Sequence, residues 1–220
     1  EVLQQGDMLY LVCNGAIMSV SPDSATTALT WSLAEGESIV RLTLAVGHGK
    51  VFVRTSRRVC CLAADTGAQL WHSAAAGPSK PMRRFAETHE RLIVNGGVVL
   101  VSHGGTDPNV LARDAAIYKG SHARIHDYGG KLSALSAEDG SVLWTTEYLP
   151  NLDDRKPGEV YVVGDTLWLG PDFSRPRDLR TGAVKQERHV LEKLWTDGHH
   201  YRCYPGKATS RYIMTAKRGM

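Results

Sequence analysis

The sequence predicts an all-β fold: a β-propeller segment of about four to five blades, part of an incomplete seven- or eight-bladed ring. Three observations predict it. A short motif ending on glycine and then tryptophan recurs at intervals of one blade. Stretches rich in β-branched and aromatic residues flank the copies, and helix-period stretches are scarce.

The motif is clearest in CLAADTGAQLW (61–71), which aligns without gaps on ALSAEDGSVLW (134–144). Leu62 matches Leu135, Ala64 matches Ala137, Gly67 matches Gly140 and Trp71 matches Trp144. A third copy, PRDLRTGAVKQ (176–186), keeps Thr181-Gly182 but carries Gln186 at the tryptophan place. A degenerate first copy, SPDSATTALTW (21–31), keeps Trp31 and has Thr27 at the glycine place. The glycine places are therefore spaced by 40, 73 and 42 residues. A period near 40 is that of one four-stranded blade, and the longer interval is one blade plus an insertion of about 33 residues.

Taken in order, LYLVCNGAIMSV (9–20) reads as a strand, an Asn-Gly turn and a second strand. KVFVRT (50–55) and YVVGDTLWL (161–169) have strand composition. The inserted residues fall in the polar, Gly-containing stretch 104–130, within which PNVLARDAAIY (108–118) is the best helix candidate. RYIMTAKRGM (211–220) resembles the first strand and turn without a second strand, so the propeller is either four-bladed with an odd closure or, the favoured reading, residues 1–220 are a single partial propeller domain of a longer chain. Thr66-Gly67 and Asp139-Gly140 supply the positive φ that a tight turn demands. Trp31, Trp71 and Trp144 are expected in the core where one blade meets the next.

Composition narrows the function classes. The chain has 220 residues, 42% hydrophobic and 22% charged, with a formal net charge of +3, too mild to argue for nucleic acid. No acid follows Asp197, while Arg202, Lys207, Arg211, Lys217 and Arg218 are basic, a bias that could hold an anion or an acidic partner but that a solvated face more commonly explains. No apolar run reaches the length of a membrane span. Four cysteines (Cys13, Cys60, Cys61 and Cys203) show no CxxC spacing, which leaves the redox compartment open.

The pattern A-L-D-A-x-T-G-x-x-x-W is similar to the repeat of the PQQ-like family of quinoprotein-type β-propellers. Cys61-Leu62-Ala63-Ala64 and Ala134-Leu135-Ser136-Ala137 stand where that family has Ala-Leu-Asp-Ala, and Asp178 keeps the aspartate. The resemblance runs from about residue 8 to the end. It implies a bacterial, exported or periplasmic protein. The family holds both eight-bladed PQQ-dependent alcohol dehydrogenases and cofactor-free members such as the BamB-type outer-membrane assembly lipoproteins.

The chemistry expected of the dehydrogenases is not laid out here. Cys60-Cys61 resembles the vicinal disulfide that stacks over PQQ, but the pair lies inside a repeat strand, where neighbours point to opposite faces. Two reduced thiols in small core positions are the expectation. The carboxylate base and cation-binding acids of a PQQ enzyme match no motif position. GHHYRCYPGKATSRYIM (198–214) resembles a segment of long bacterial PQQ-like repeat proteins of unassigned role. Its His199, His200 and Cys203 are ligand types suited to zinc or copper, with His189, His103 or His126 as further ligands if the fold gathers them. His48, His72, His89 and His122 show no ligand spacing, and the acid pairs 138–139 and 153–154 read as turn residues.

The resulting expectation is a non-catalytic binding or scaffolding module with no cofactor. Its partner would be another protein or another domain of the same chain, held through residues 104–130 and 198–210. The alternative is a quinoprotein-type oxidoreductase using PQQ, or a metal enzyme using His199, His200 and Cys203.

Overall fold

The computed structural model of the protein describes residues 1–24, 26–75, 91–104, 130–148, 160–169, 176–185, 207–208 and 213–214. These residues form successive antiparallel meanders. The first sheet is β1 (Val2–Gln5), β2 (Met8–Cys13), β3 (Ala16–Val20) and β4 (Thr27–Ser32). The second is β5 (Ile39–Gly47), β6 (Lys50–Thr55), β7 (Val59–Ala63) and β8 (Gln69–Ser73). The third is β9 (Leu92–Asn95), β10 (Val98–Gly104), β11 (Gly130–Ser136) and β12 (Val142–Tyr148). The fourth contains β13 (Val160–Val163), β14 (Thr166–Leu169) and β15 (Arg177–Asp178), with Val184 bridged to Arg177. A fifth begins with β16 (Lys207–Ala208) and β17 (Ile213–Met214). These sheets are blades 1 to 5 of a propeller segment. No helix occurs among the described residues.

Strand order follows sequence order within each sheet, and several of the connecting turns are tight. Asn14 and Gly15 both adopt positive φ (49° and 77°), the conformation whose twist matches the flanking strands β2 and β3. The stretch 161–169, of strand composition, forms two strands folded back at Gly164 (φ 62°), with Val163 opposite Thr166. Gly104 pairs with Gly130 as the last rung between β10 and β11, and residues 105–129 between them lie outside the described residues. The helix candidate 108–118 lies outside the described residues.

The ungapped alignment of the first copy is corrected by the ladder. Trp71 stands opposite Cys61 and Trp144 opposite Ala134, but Trp31 stands opposite Ile17, four residues further back than the repeat requires. The β3–β4 turn is longer by those residues, so the tight glycine turn has no counterpart at Thr27.

Blades 2 and 3 are buried on both faces. This is why Val51, Phe52 and Val53 form an unbroken apolar run rather than an alternating one. Val51, Val53, Cys60 and Leu62 meet Tyr10 and Ile17 of blade 1. The alternate residues Phe52, Val59, Cys61 and Trp71 meet Leu92, Val99, Val101, Leu135 and Ala137 of blade 3. The far face of blade 3 (Val98, Leu100, Leu132, Ala134) packs on Val160, Leu167 and Leu179 of blade 4. Each seam is thus a dry layer between two sheets.

One polar pair is built into the frame. Glu37, before β5, accepts hydrogen bonds from Arg58 Nε at 2.9 Å and Arg58 Nη2 at 3.0 Å, and its side chain is only 3% exposed. The Arg58 guanidinium holds the carboxyl below its ordinary range. This contribution to stability is therefore complete above the usual glutamate pKa and fades as pH falls through the lowered folded value. Glu37→Gln is expected to destabilise the fold by about 1–3 kcal/mol at pH 7, because Arg58 is left without its charge partner. Urea midpoints at pH 7 and pH 3 test this; the gap between variant and parent should shrink at the acid end.

Candidate functional site

Each blade is a four-strand meander, so its connections alternate between two ends. The first-to-second and third-to-fourth strand turns share one end, the turn end. It carries Gly49, Gly97 and Gly164, and also Gly67, Gly140 and Gly182. The second-to-third connections and the links between blades leave from the opposite end, the loop end. Every connection longer than six residues departs from strand ends there: 74–91, 105–129, 149–159, 170–176 and 185–206.

The turn end is occupied by structural work. Gly67, Gly140 and Gly182 share φ of 73°, 74° and 71°, and each donates its N–H to the carbonyl four residues back at 2.9 Å. The indole of one blade lies on the next blade's glycine. A Cβ on Gly140 would stand 2.5 Å from Trp71 Cε3, and one on Gly182 would stand 2.8 Å from Trp144 Cδ2. Trp71 Nε1 donates to Ala137 O at 3.2 Å and Trp144 Nε1 to Leu179 O at 3.0 Å. A register shift just before each tryptophan leaves Leu70 and Leu143 without a ladder partner and turns the ring toward the neighbouring blade. Asp139, one of the paired turn acids, accepts from Ser141 N and Ser141 Oγ (3.0 and 2.7 Å), which holds its carboxyl low and fixes the turn. The acids at 153–154 lie outside the described residues.

Cys60 and Cys61 are free thiols, both fully buried, and they point into different seams: Cys60 toward blade 1, Cys61 toward blade 3. Burial pushes both thiols up to about 11. Placed in the middle of a strand and on opposite faces, the pair presents no surface to a cofactor, and it does not fit the role of a stacking disulfide over PQQ. At pH 8 only about a thousandth of either thiol would be ionised. In a Cys203→Ser variant, an aromatic disulfide reagent is expected to label exposed Cys13 at once and Cys60 and Cys61 only after denaturation. Stoichiometric native labelling of all three would contradict their burial.

The loop end holds a different cluster. In the seam between blades 2 and 3 the alternating apolar series Val99, Val101 ends on His103, and the facing series ends on Arg54 after Phe52. His103 Nε2 lies 3.0 Å from Ser133 Oγ, and Ser133 Oγ lies 2.9 Å from Thr145 Oγ1, so one polar ladder crosses β10, β11 and β12. Arg54 and Ser133 are fully buried. Desolvation first, then the charges of Arg54 and Lys131, push His103 down to about 4. The imidazole is therefore neutral at physiological pH and hydrogen-bonds Ser133 as a neutral ring. Sequence reasoning weighed His103 only as a chance metal ligand. The available signal was positional: a histidine and an arginine at the last inward places of two otherwise apolar strands.

His199, His200 and Cys203, together with His189 and His126, lie outside the described residues. They belong to segments that leave the strands at the loop end. No group of three or more His, Cys, Asp or Glu residues able to hold a metal occurs among the described residues.

Stacked four-stranded meanders with buried seams and a tryptophan-on-glycine joint define a quinoprotein-like β-propeller. The comparisons with known proteins agree. A family model described as outer membrane protein assembly factor BamB matches residues 13–193, and the chain belongs to this PQQ-like repeat family. No match to a curated protein was found. Among solved structures, the quinohemoprotein alcohol dehydrogenase from Comamonas testosteroni aligns with a TM-score of 0.55 at 15% identity, covering 86% of this chain and 34% of that one. A europium-containing methanol dehydrogenase aligns with a TM-score of 0.54 at 14% identity, covering 84% and 40%. BamB from Moraxella catarrhalis gives 0.48 at 17% identity, covering 84% and 47%. The chain spans less than half the length of each of these structures, and the first two likenesses establish the fold. No helix among the described residues is long and apolar enough to cross a membrane.

Proposed function

We propose that the chain is a non-catalytic binding or scaffolding module, a single partial propeller domain of an exported bacterial protein, and that it engages a protein partner or another domain through its loop end. One observation carries this reading: every gap longer than six residues between the described strands opens at that end, whereas the turn end holds the tight glycine turns at Gly67, Gly140 and Gly182, the last two covered by indoles. Connecting segments set on a rigid scaffold are where recognition usually resides. The family's assembly-factor description supports a protein partner and export. Membership alone does not decide between binding and catalysis, because one fold hosts many functions.

The experiment is site-specific photocrosslinking in the full-length protein in its own cells. A crosslinker at exposed Arg57, at the loop end, should capture a partner; one at exposed Asp65, at the turn end, should not. Crosslinks from Asp65 alone would reverse the assignment.

A second reading gives His199, His200 and Cys203 a zinc or copper ion, since the segment 185–206 departs from the same end. Metal analysis of purified protein and of His199→Ala and Cys203→Ala variants tests it. Near-stoichiometric metal lost in both variants would favour a metal protein over the scaffolding reading. Binding of added PQQ with substrate-dependent dye reduction would favour the quinoprotein alternative.

A further inference from the structure

We propose that Asn14 is a site of spontaneous deamidation and that its isoaspartyl product breaks the corner joining β2 and β3 of blade 1, whereas the chain's other Asn-Gly pair is protected by the fold. Asparagine occurs at four positions, and glycine follows it at two of them, Asn14-Gly15 and Asn95-Gly96. A glycine in that place leaves its backbone nitrogen unhindered by a Cβ, so as sequence the two pairs are alike. The structure separates them.

Asn14 is the corner itself. Cys13 opposite Ala16 is the last rung of the β2–β3 ladder, and Asn14 and Gly15 beyond it are both exposed. Among the described residues no hydrogen bond holds the Asn14 side-chain amide or the Gly15 N–H. The Asn14 backbone is left-handed (φ 49°), a conformation that an L-residue holds at a cost and regains by leaving it. Asn95, by contrast, is the last residue of β9, paired with Val98, and its Nδ2 donates to Gly164 O of blade 4 at 2.8 Å. Its Cγ reaches Gly96 N only after that bond breaks. Asp139-Gly140, which would follow the same chemistry, is held at both reacting groups: the carboxylate accepts from Ser141 N and Oγ, and Gly140 N–H donates to Ser136 O at 2.9 Å.

The step needs no reagent but water. Gly15 N gives up its proton and attacks Asn14 Cγ; the Cγ–Nδ2 bond breaks, and the amide nitrogen leaves with a proton as ammonia. Water then opens the succinimide at either carbonyl. Opening at Cγ restores the ordinary chain with aspartate at the position. Opening at the backbone carbonyl leaves the chain running through Cγ, one carbon longer, with the carboxylate on the short branch. Asp-Gly suits this corner as well as Asn-Gly does. The isoaspartyl chain does not, because an extra carbon has no place in a two-residue turn closed by the Cys13–Ala16 rung. Either product adds a negative charge at the loop end, where the β2–β3 corner lies.

The full-length protein, kept reduced, is incubated folded and in urea at neutral and mildly alkaline pH, and peptide mapping with electron-transfer fragmentation follows each site. In the folded protein Asn14 should convert roughly fivefold faster than Asn95 or more, the discrimination that one retained hydrogen bond supplies. Conversion should quicken at alkaline pH, because the attacking nitrogen must lose its proton, and in urea the two rates should converge. Comparable rates at the two sites in the folded protein overturn the proposal, and so does an Asn14 that stays unconverted while the unfolded chain reacts. Amide hydrogen exchange then tests the consequence. Peptides from β2 and β3 should exchange faster in the isolated isoaspartyl fraction than in the parent, while Asn14→Asp should exchange as the parent does. Equal exchange in the isoaspartyl fraction and in Asn14→Asp would show that the extra carbon leaves the corner intact, and the proposed break would fall.

Discussion

Gly140→Ala is expected to destabilise the propeller by about 2–4 kcal/mol, the largest effect of any single-methyl change among the described residues. Two separate terms add. The backbone at 140 has φ of 74°, where an alanine side chain costs about 1 kcal/mol. The added Cβ would also stand 2.5, 2.9 and 3.0 Å from three carbons of the Trp71 ring. That ring cannot step aside, because its Nε1 is bonded to Ala137 O and its other face belongs to the Phe52 cluster, with the two ring centroids 5.9 Å apart. Overpacking of this kind costs about 1–3 kcal/mol. Gly164→Ala is the internal control: φ is 62° and a Cβ there meets nothing within 4 Å, so only the backbone term of about 1 kcal/mol applies. Urea unfolding followed by near-UV circular dichroism measures both. Equal losses at 140 and 164 would mean that the indole contact contributes nothing.

This glycine–indole joint is also the part of the fold most legible in the sequence. A motif read as a turn glycine followed four residues later by a tryptophan is a contact between blades, so the repeat states both the unit and the way units join. The strand pair joined by Asn14-Gly15 was equally readable, because turn chemistry is local. Two things were less readable. The four extra residues of the β3–β4 turn were hidden because Trp31 sits at the right distance from Trp71 along the chain, whereas its ladder partner Ile17 does not follow the repeat. The loop-end cluster was hidden because it joins residues on three strands of one blade and one strand of another. Arg54, His103, Ser133 and Thr145 have no fixed spacing, and only the parity of alternating strands brings them to one seam. By contrast, the same parity made the opposed directions of Cys60 and Cys61 predictable from adjacency alone. The candidate ligands His199, His200 and Cys203 carry chemistry in their residue types, but their arrangement depends on a long connection whose geometry no local rule dictates.

Trp71→Ala should destabilise by about 3–5 kcal/mol, and it should change the meaning of the glycine it covers. Trp71 is 8% exposed, lies in the blade 2–3 seam with Phe52, Val99 and Leu135, and donates to a carbonyl of the next blade. Its removal leaves a cavity between two sheets whose backbones are fixed by their own ladders, so the site can collapse only in part. Trp31→Ala should cost less, because Trp31 is only partly buried and packs at the margin of its cluster. The sharper test is the double variant. Once the indole is gone, Gly140→Ala retains its backbone penalty of about 1 kcal/mol but loses the clash, so the two substitutions together should be less damaging than their sum by about 1–3 kcal/mol. The same cycle on Trp144 and Gly182, where the indole lies 2.8 Å from a Cβ position and donates to Leu179 O, should give a coupling of the same sign. Additivity at both joints would break the link between glycine and indole on which the blade-to-blade architecture rests. Coupling at both would mean that each blade is held by the turn of its successor, so that losing one joint loosens the pair of blades on either side of it and leaves the next joint intact.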